Sequence, residues 1–164
     1  MTPKTETAYF AGGCFWGVEY LMQPKKGVLK TAVGYMGGHV DAPTYEAVCG
    51  GRTGHKETTE IVFDPTITSF EELARFFFEI HDPTQANGQG PDIGEQYESF
   101  IFYTNDAQKA VAEKLIAELV AKGFAVATTL EAAGKFWRAE EYHQDYYRKT
   151  GKAPYCHFFT PRFS

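Results

Sequence analysis

The chain has 164 residues, 43% hydrophobic and 23% charged, which is enough for one domain (1–164) to build its own core. A net charge of -5 leaves no basic stripe to displace counterions, so no nucleic-acid partner is expected. No apolar run reaches membrane-spanning length and the first residues hold no apolar leader core, so the expectation is a cytoplasmic monomer without membrane attachment.

Residues 7–11 predict a buried strand, and residues 15–22 a helix that Pro24 ends. A second strand is predicted over 28–35, closed by Gly37 and Gly38. Residues 38–56 form a glycine-rich segment without a period, and a loop of that length in a compact domain is usually functional or disordered. Its aromatics and carboxylate favour function. A strand over 60–64 stops at Pro65. Ser69 followed by Glu72 is a capping box, opening a helix to about residue 81 with Leu73, Phe76, Phe77 and Ile80 on its apolar face.

A second irregular segment covers 82–98. A strand over 99–103 precedes an amphipathic helix over 106–122, with Val111, Leu115 and Leu119 inward and Gly123 just past its end. Residues 124–131 predict a strand, 139–149 a helix and 151–164 an irregular tail. This alternation predicts an α+β fold: a two-layer sandwich with a ferredoxin-like (α/β plait) core and long functional loops.

The chemistry starts at Gly12-Gly13-Cys14-Phe15-Trp16-Gly17. A cysteine where a strand turns into a helix meets backbone N–H groups that favour its thiolate, and two aromatics beside it make an apolar wall. The competing reading is a buried cysteine acting as a small hydrophobe, but such a residue needs no glycines around it. Cys14, Cys49 and Cys156 are widely spaced, which fits neither a disulfide scaffold nor a zinc finger. Cys49 reads as structural. Cys156 lies in the tail beside His157, where a second thiol can react with an oxidised first one.

Glu57 is either a solvated carboxylate or, if buried beside tyrosines such as Tyr45, a protonated general acid. Asp92, Gln96 and Tyr97 cluster in the second loop, either as turn chemistry or as polar groups for a substrate. The five histidines show no metal-ligand spacing, so no metal is expected.

The ordered set Gly13-Cys14-Phe15-Trp16-Gly17, Pro43-Thr44-Tyr45, Thr53-Gly54-His55-Lys56-Glu57, Asp92-Ile93-Gly94-Glu95-Gln96-Tyr97 and Tyr142-His143-Gln144 resembles the A-type peptide methionine sulfoxide reductases, from about Tyr9 to His157. The resemblance implies that Cys14 attacks the sulfur of methionine-(S)-sulfoxide, free or in proteins, while Phe15 and Trp16 hold its methyl group. It implies Glu57 as proton donor to the oxygen, Tyr45 and Tyr97 as hydrogen-bond donors, and Asp92 as support on the polar side. Cys156 would resolve the Cys14 sulfenic acid as a disulfide, with thioredoxin or another thiol as reductant and no metal or organic cofactor. The chain departs from the family pattern at Lys56, Glu95 and Glu98, where Ala, Thr and Arg are usual, making the surroundings of Asp92 more acidic. Two other readings compete: a hydrolase or transferase using Cys14, His143 and Asp92, and a non-catalytic aromatic cage.

Overall fold

The structure, a computed structural model, describes residues 4–154 and 157–163. In chain order the elements are β1 (Glu6–Ala11), α1 (Phe15–Met22), β2 (Val28–Met36), α2 (Tyr45–Cys49), β3 (Lys56–Phe63), α3 (Phe70–Ile80), β4 (Gly88–Gln89) and β5 (Asp92–Ile93). After a 3-10 turn at Glu95–Tyr97 come β6 (Phe100–Tyr103), α4 (Asp106–Ala121), β7 (Thr129–Ala132) and β8 (Trp137–Arg138). A second 3-10 turn at Glu141–His143 leads to α5 (Tyr146–Thr150).

Six strands form one sheet in the order β7-β6-β1-β3-β2-β8, antiparallel except for the β6–β7 pair. Its inner strands β6-β1-β3-β2, with α1 after β1 and α3 after β3, make the expected βαββαβ plait. Strand alternation explains the layering. Ala8 and Phe10 of β1, Ile61 and Phe63 of β3 and Ile101 of β6 face α1, α3 and α4 in one buried cluster. Tyr9, Phe100 and Phe102 turn to the other side of the sheet and pack with Met36 and Phe136.

Phe10 stacks on Phe77 with ring centroids 4.9 Å apart, fixing the end of β1 against α3. Burial of each such ring is worth ~1.5–3 kcal/mol, so the turn after β1 rests on a firm base. Among the described residues, no helix is long and apolar enough to cross a membrane.

Local signals place several boundaries. Ser69 Oγ accepts the Glu72 N–H at 3.1 Å, and Asn105 Oδ1 accepts the Gln108 N–H at 2.8 Å. Only half of the capping box forms, because the Glu72 carboxylate takes the Thr68 hydroxyl instead.

Tertiary contacts overrule local pattern elsewhere. The helix expected over 139–149 is cut to α5: the Gln144 side chain accepts the Val33 N–H and donates to the Val33 and Ala139 carbonyls, and Asp145 follows in a left-handed conformation (φ 59°). The strand expected over 124–131 pairs only at β7, since Ala127 N–H is spent on the Pro83 carbonyl. The tail is irregular, as expected, but not loose from residue 157 onward. His157 Nε2 bonds the Gly12 carbonyl, Thr160 N–H the Glu79 carbonyl and Arg162 Nη1 the Phe78 carbonyl.

Candidate active site

Cys14 is the N-cap of α1, directly beyond β1, and only 7% exposed. Gly13 before it has φ +91°, a conformation that side chains avoid, and a Cβ there would lie 2.6 Å from Gln89 Cβ. The β4–β5 hairpin can therefore close on the turn, bringing Asp92 within electrostatic reach of the thiol. Gly17 serves the opposite side: a Cβ there would overlap Nδ1 of the buried His157. The motif's glycines thus let two separate chain segments touch the Cys14 turn.

The expected acidification of the thiol is overturned. Burial, and next the Glu57 carboxylate, push Cys14 well above the ordinary thiol range. The N–H groups of Trp16 and Gly17 act in the expected direction but are outweighed. In the resting site the sulfur carries its proton.

Glu57 sits at the start of β3, cross-strand from Tyr35, and is 1% exposed. Its Oε1 accepts the Phe15 N–H at 3.2 Å, whereas Oε2 is buried without a partner among the described residues. Burial raises its pKa to about 8, with the Phe15 bond opposing and Asp92 assisting. At neutral pH this carboxyl is mostly protonated, and it lies within electrostatic reach of Cys14.

Tyr45 opens α2, a short helix inside the first long loop that Thr44 caps. Its backbone N–H is held by Glu140 Oε2 at 2.9 Å, and the other Glu140 oxygen accepts the Tyr35 hydroxyl at 3.0 Å. Tyr97 ends the first 3-10 turn, half-buried. Burial, then Glu57, pushes both phenols well above their usual range, so both remain O–H donors.

Phe15 is fully buried between the rings of Tyr35 and His143. Trp16 is half-buried and stacks on Tyr146 with centroids 3.7 Å apart and planes 6° from parallel. Its Nε1–H donates to His143 Nδ1 at 3.0 Å. His143 is buried and neutral, its pKa lowered by burial, and its other nitrogen has no partner among the described residues. No hydrogen bond joins it to Cys14, so the nucleophile, base and orienter arrangement of a hydrolase is missing.

Cys14, Phe15, Trp16, Tyr45, Glu57, Asp92 and Tyr97 thus converge, while Cys156 lies outside the described residues. Cys49 ends α2 and is exposed, so it fills no core. The sequence gives Glu140 and Tyr146 no role, and offers His143 as part of the family string, as a structural histidine or as a hydrolase base, not as the acceptor of the Trp16 N–H. The Tyr142-His143-Gln144 string was the available signal, and the expected continuous helix hid its use. Among the described residues, no group of three or more His, Cys, Asp or Glu is placed to hold a metal ion.

Comparison with known proteins gives this geometry its context. The sequence profile described as peptide methionine sulfoxide reductase matches residues 6–163. The peptide methionine sulfoxide reductase MsrA of Nitrobacter winogradskyi is 48% identical over 166 residues, covering 99% of this chain and 90% of the relative. That of Methanothermobacter thermautotrophicus is 50% identical over 149 residues, or 89% and 88% of the two chains. The crystal structure of Mxr1 from Saccharomyces cerevisiae in reduced form matches with a TM-score of 0.86 at 35% identity, covering 97% of this chain and 94% of that one. Profile, relatives and fold agree, and the chain belongs to the peptide methionine sulfoxide reductase family.

Proposed function

We propose that Cys14 carries out the family's reaction on methionine-(S)-sulfoxide, free or in oxidised proteins, with Glu57 as the general acid. One observation carries the assignment of Glu57. A buried carboxyl that holds its proton at neutral pH has one oxygen on the Phe15 N–H and the other without a partner among the described residues, within electrostatic reach of the thiol. Such a group has a proton to give and no protein acceptor for it.

The substrate methyl group packs against Phe15 and Trp16, and the sulfoxide oxygen meets Glu57 and the hydroxyls of Tyr45 and Tyr97. Asp92 holds the polar side. As the Cys14 sulfur attacks the substrate sulfur, Glu57 protonates the oxygen and the thiol proton replaces the one given up. No thiolate has to coexist with a carboxylate in the buried site. The oxygen ends on Cys14 as sulfenic acid, and methionine, two electrons richer, departs.

The Cys156 thiol then attacks the sulfenic sulfur, water leaves, and the disulfide so formed is reduced by the dithiol of thioredoxin. Support for that partner comes from the yeast relative Mxr1, known in complex with Trx2. The reading is of a cytoplasmic monomer repairing oxidised methionine with no metal or organic cofactor.

Cys156→Ser is expected to release about one methionine per enzyme molecule and then stall when thioredoxin is the reductant. Quenched-flow measurement of methionine against time checks this. Sustained turnover of the variant with thioredoxin would remove Cys156 as the resolving thiol.

A further inference from the structure

Lys56 and Glu98 are separate departures from the family pattern along the sequence, yet in space they are one pair. Lys56 Nζ lies 2.9 Å from Glu98 Oε1, and the lysine side chain is only 10% exposed. Its ammonium also lies 5.0 Å from the centroid of the Phe100 ring, which covers it.

Lys56 immediately precedes Glu57 on β3, and strand alternation sends the two side chains to opposite faces. Glu98 immediately follows Tyr97 and closes its 3-10 turn, with its N–H on the Glu95 carbonyl. A second link runs alongside: Glu95 Oε1 accepts the Gly54 N–H at 3.1 Å. Both unusual acidic residues of the Tyr97 turn are therefore bound to the segment that leads into Glu57.

We propose that the Lys56–Glu98 ion pair, backed by Glu95 on Gly54, positions the Tyr97 hydroxyl against Glu57 at the sulfoxide oxygen. The inference rests on the reading of Tyr97 and Glu57 given above. Lys56 and Glu98 touch no substrate in this arrangement; they are positioning residues that act through Tyr97. A buried, paired charge suits this work, because its geometry is fixed on both sides and the strand cannot slide past the turn.

The test is a double-mutant cycle on the single-turnover rate of methionine formation, with free methionine sulfoxide as probe. Lys56→Met keeps the apolar stem and drops the charge, and Glu98→Gln leaves a third-exposed amide, so both variants should fold. Each is expected to slow the step ~10-fold in the wild-type background with little change in KM, since a misplaced donor costs rate more than binding. In a Tyr97→Phe background the same changes should cost nothing further, because the hydroxyl they position is gone. The reversed pair, Lys56→Glu with Glu98→Lys, should recover most of the rate lost by either single reversal.

Equal losses in both backgrounds, or a fall in melting temperature with no loss of rate, would overturn the positioning role. Tyr97→Phe alone tests the underlying reading separately: an unchanged rate there removes Tyr97 as an oxygen donor whatever the ion pair does.

Discussion

Replacing Glu57 by glutamine is expected to slow sulfoxide reduction by roughly 10²–10⁴-fold at neutral pH and, at the same time, to stabilise the fold. Both effects have one cause. Burial lifts the pKa of Glu57 from 4.5 to about 8, so the folded chain binds a proton that the unfolded chain has already lost over that interval. Stability is therefore fullest below the unfolded value and falls as pH rises through the folded one. At 1.36 kcal/mol per unit, the liability is roughly 3 kcal/mol at pH 7 and about 5 kcal/mol above pH 8.

Glutamine keeps an oxygen for the Phe15 N–H but cannot ionise, so the variant escapes that penalty. Its melting temperature should exceed the wild type's by more at pH 8 than at pH 5. The wild-type rate constant should decline above about pH 8 as Glu57 loses its proton, while the variant's residual rate stays flat across the same range. An equal gain in melting temperature at both pH values would rule out the proton linkage. An unchanged rate constant would remove Glu57 as the acid.

That Glu57 is buried could be posed from the sequence only as a condition, because burial is decided by elements far away along the chain. What was legible had a local cause. Ser69 announces a helix start through its own side chain, and Gly12-Gly13 announces a turn. The βαββαβ order was readable because each inner strand and helix carries its own period. Illegible features depend on one long-range partner: Gln144 borrowing the backbone of Val33, Asp145 turning left-handed, or Lys56 finding Glu98. The resting state of Cys14 belongs with these. Its helix-start N–H groups are visible in the sequence, but the burial that outweighs them is not.

Gly17→Ala sets local propensity against tertiary packing most sharply. By helix propensity alone the change is favourable, since alanine exceeds glycine by ~0.8–1 kcal/mol inside a helix. The structure predicts the opposite sign. The new methyl would overlap the His157 imidazole, which has little room to retreat. Its Nε2 is fixed on the Gly12 carbonyl at 2.6 Å, and Gly13 flanks it on the other side. Overpacking of this kind costs ~1–3 kcal/mol, and the buried hydrogen bond on Gly12 is worth ~1 kcal/mol more if the ring is expelled.

Urea unfolding should therefore show Gly17→Ala to be destabilising in the wild type. In a His157→Ala background, where nothing opposes the methyl, it should become neutral or stabilising. A sign reversal of that size is coupling, not additivity. The same expulsion frees the tail at the residue directly after Cys156, so disulfide formation should slow more than release of the first methionine. If Gly17→Ala destabilised both backgrounds equally, the glycine would be serving the turn of α1 itself, and the packing of the tail on the Cys14 motif would have no energetic weight.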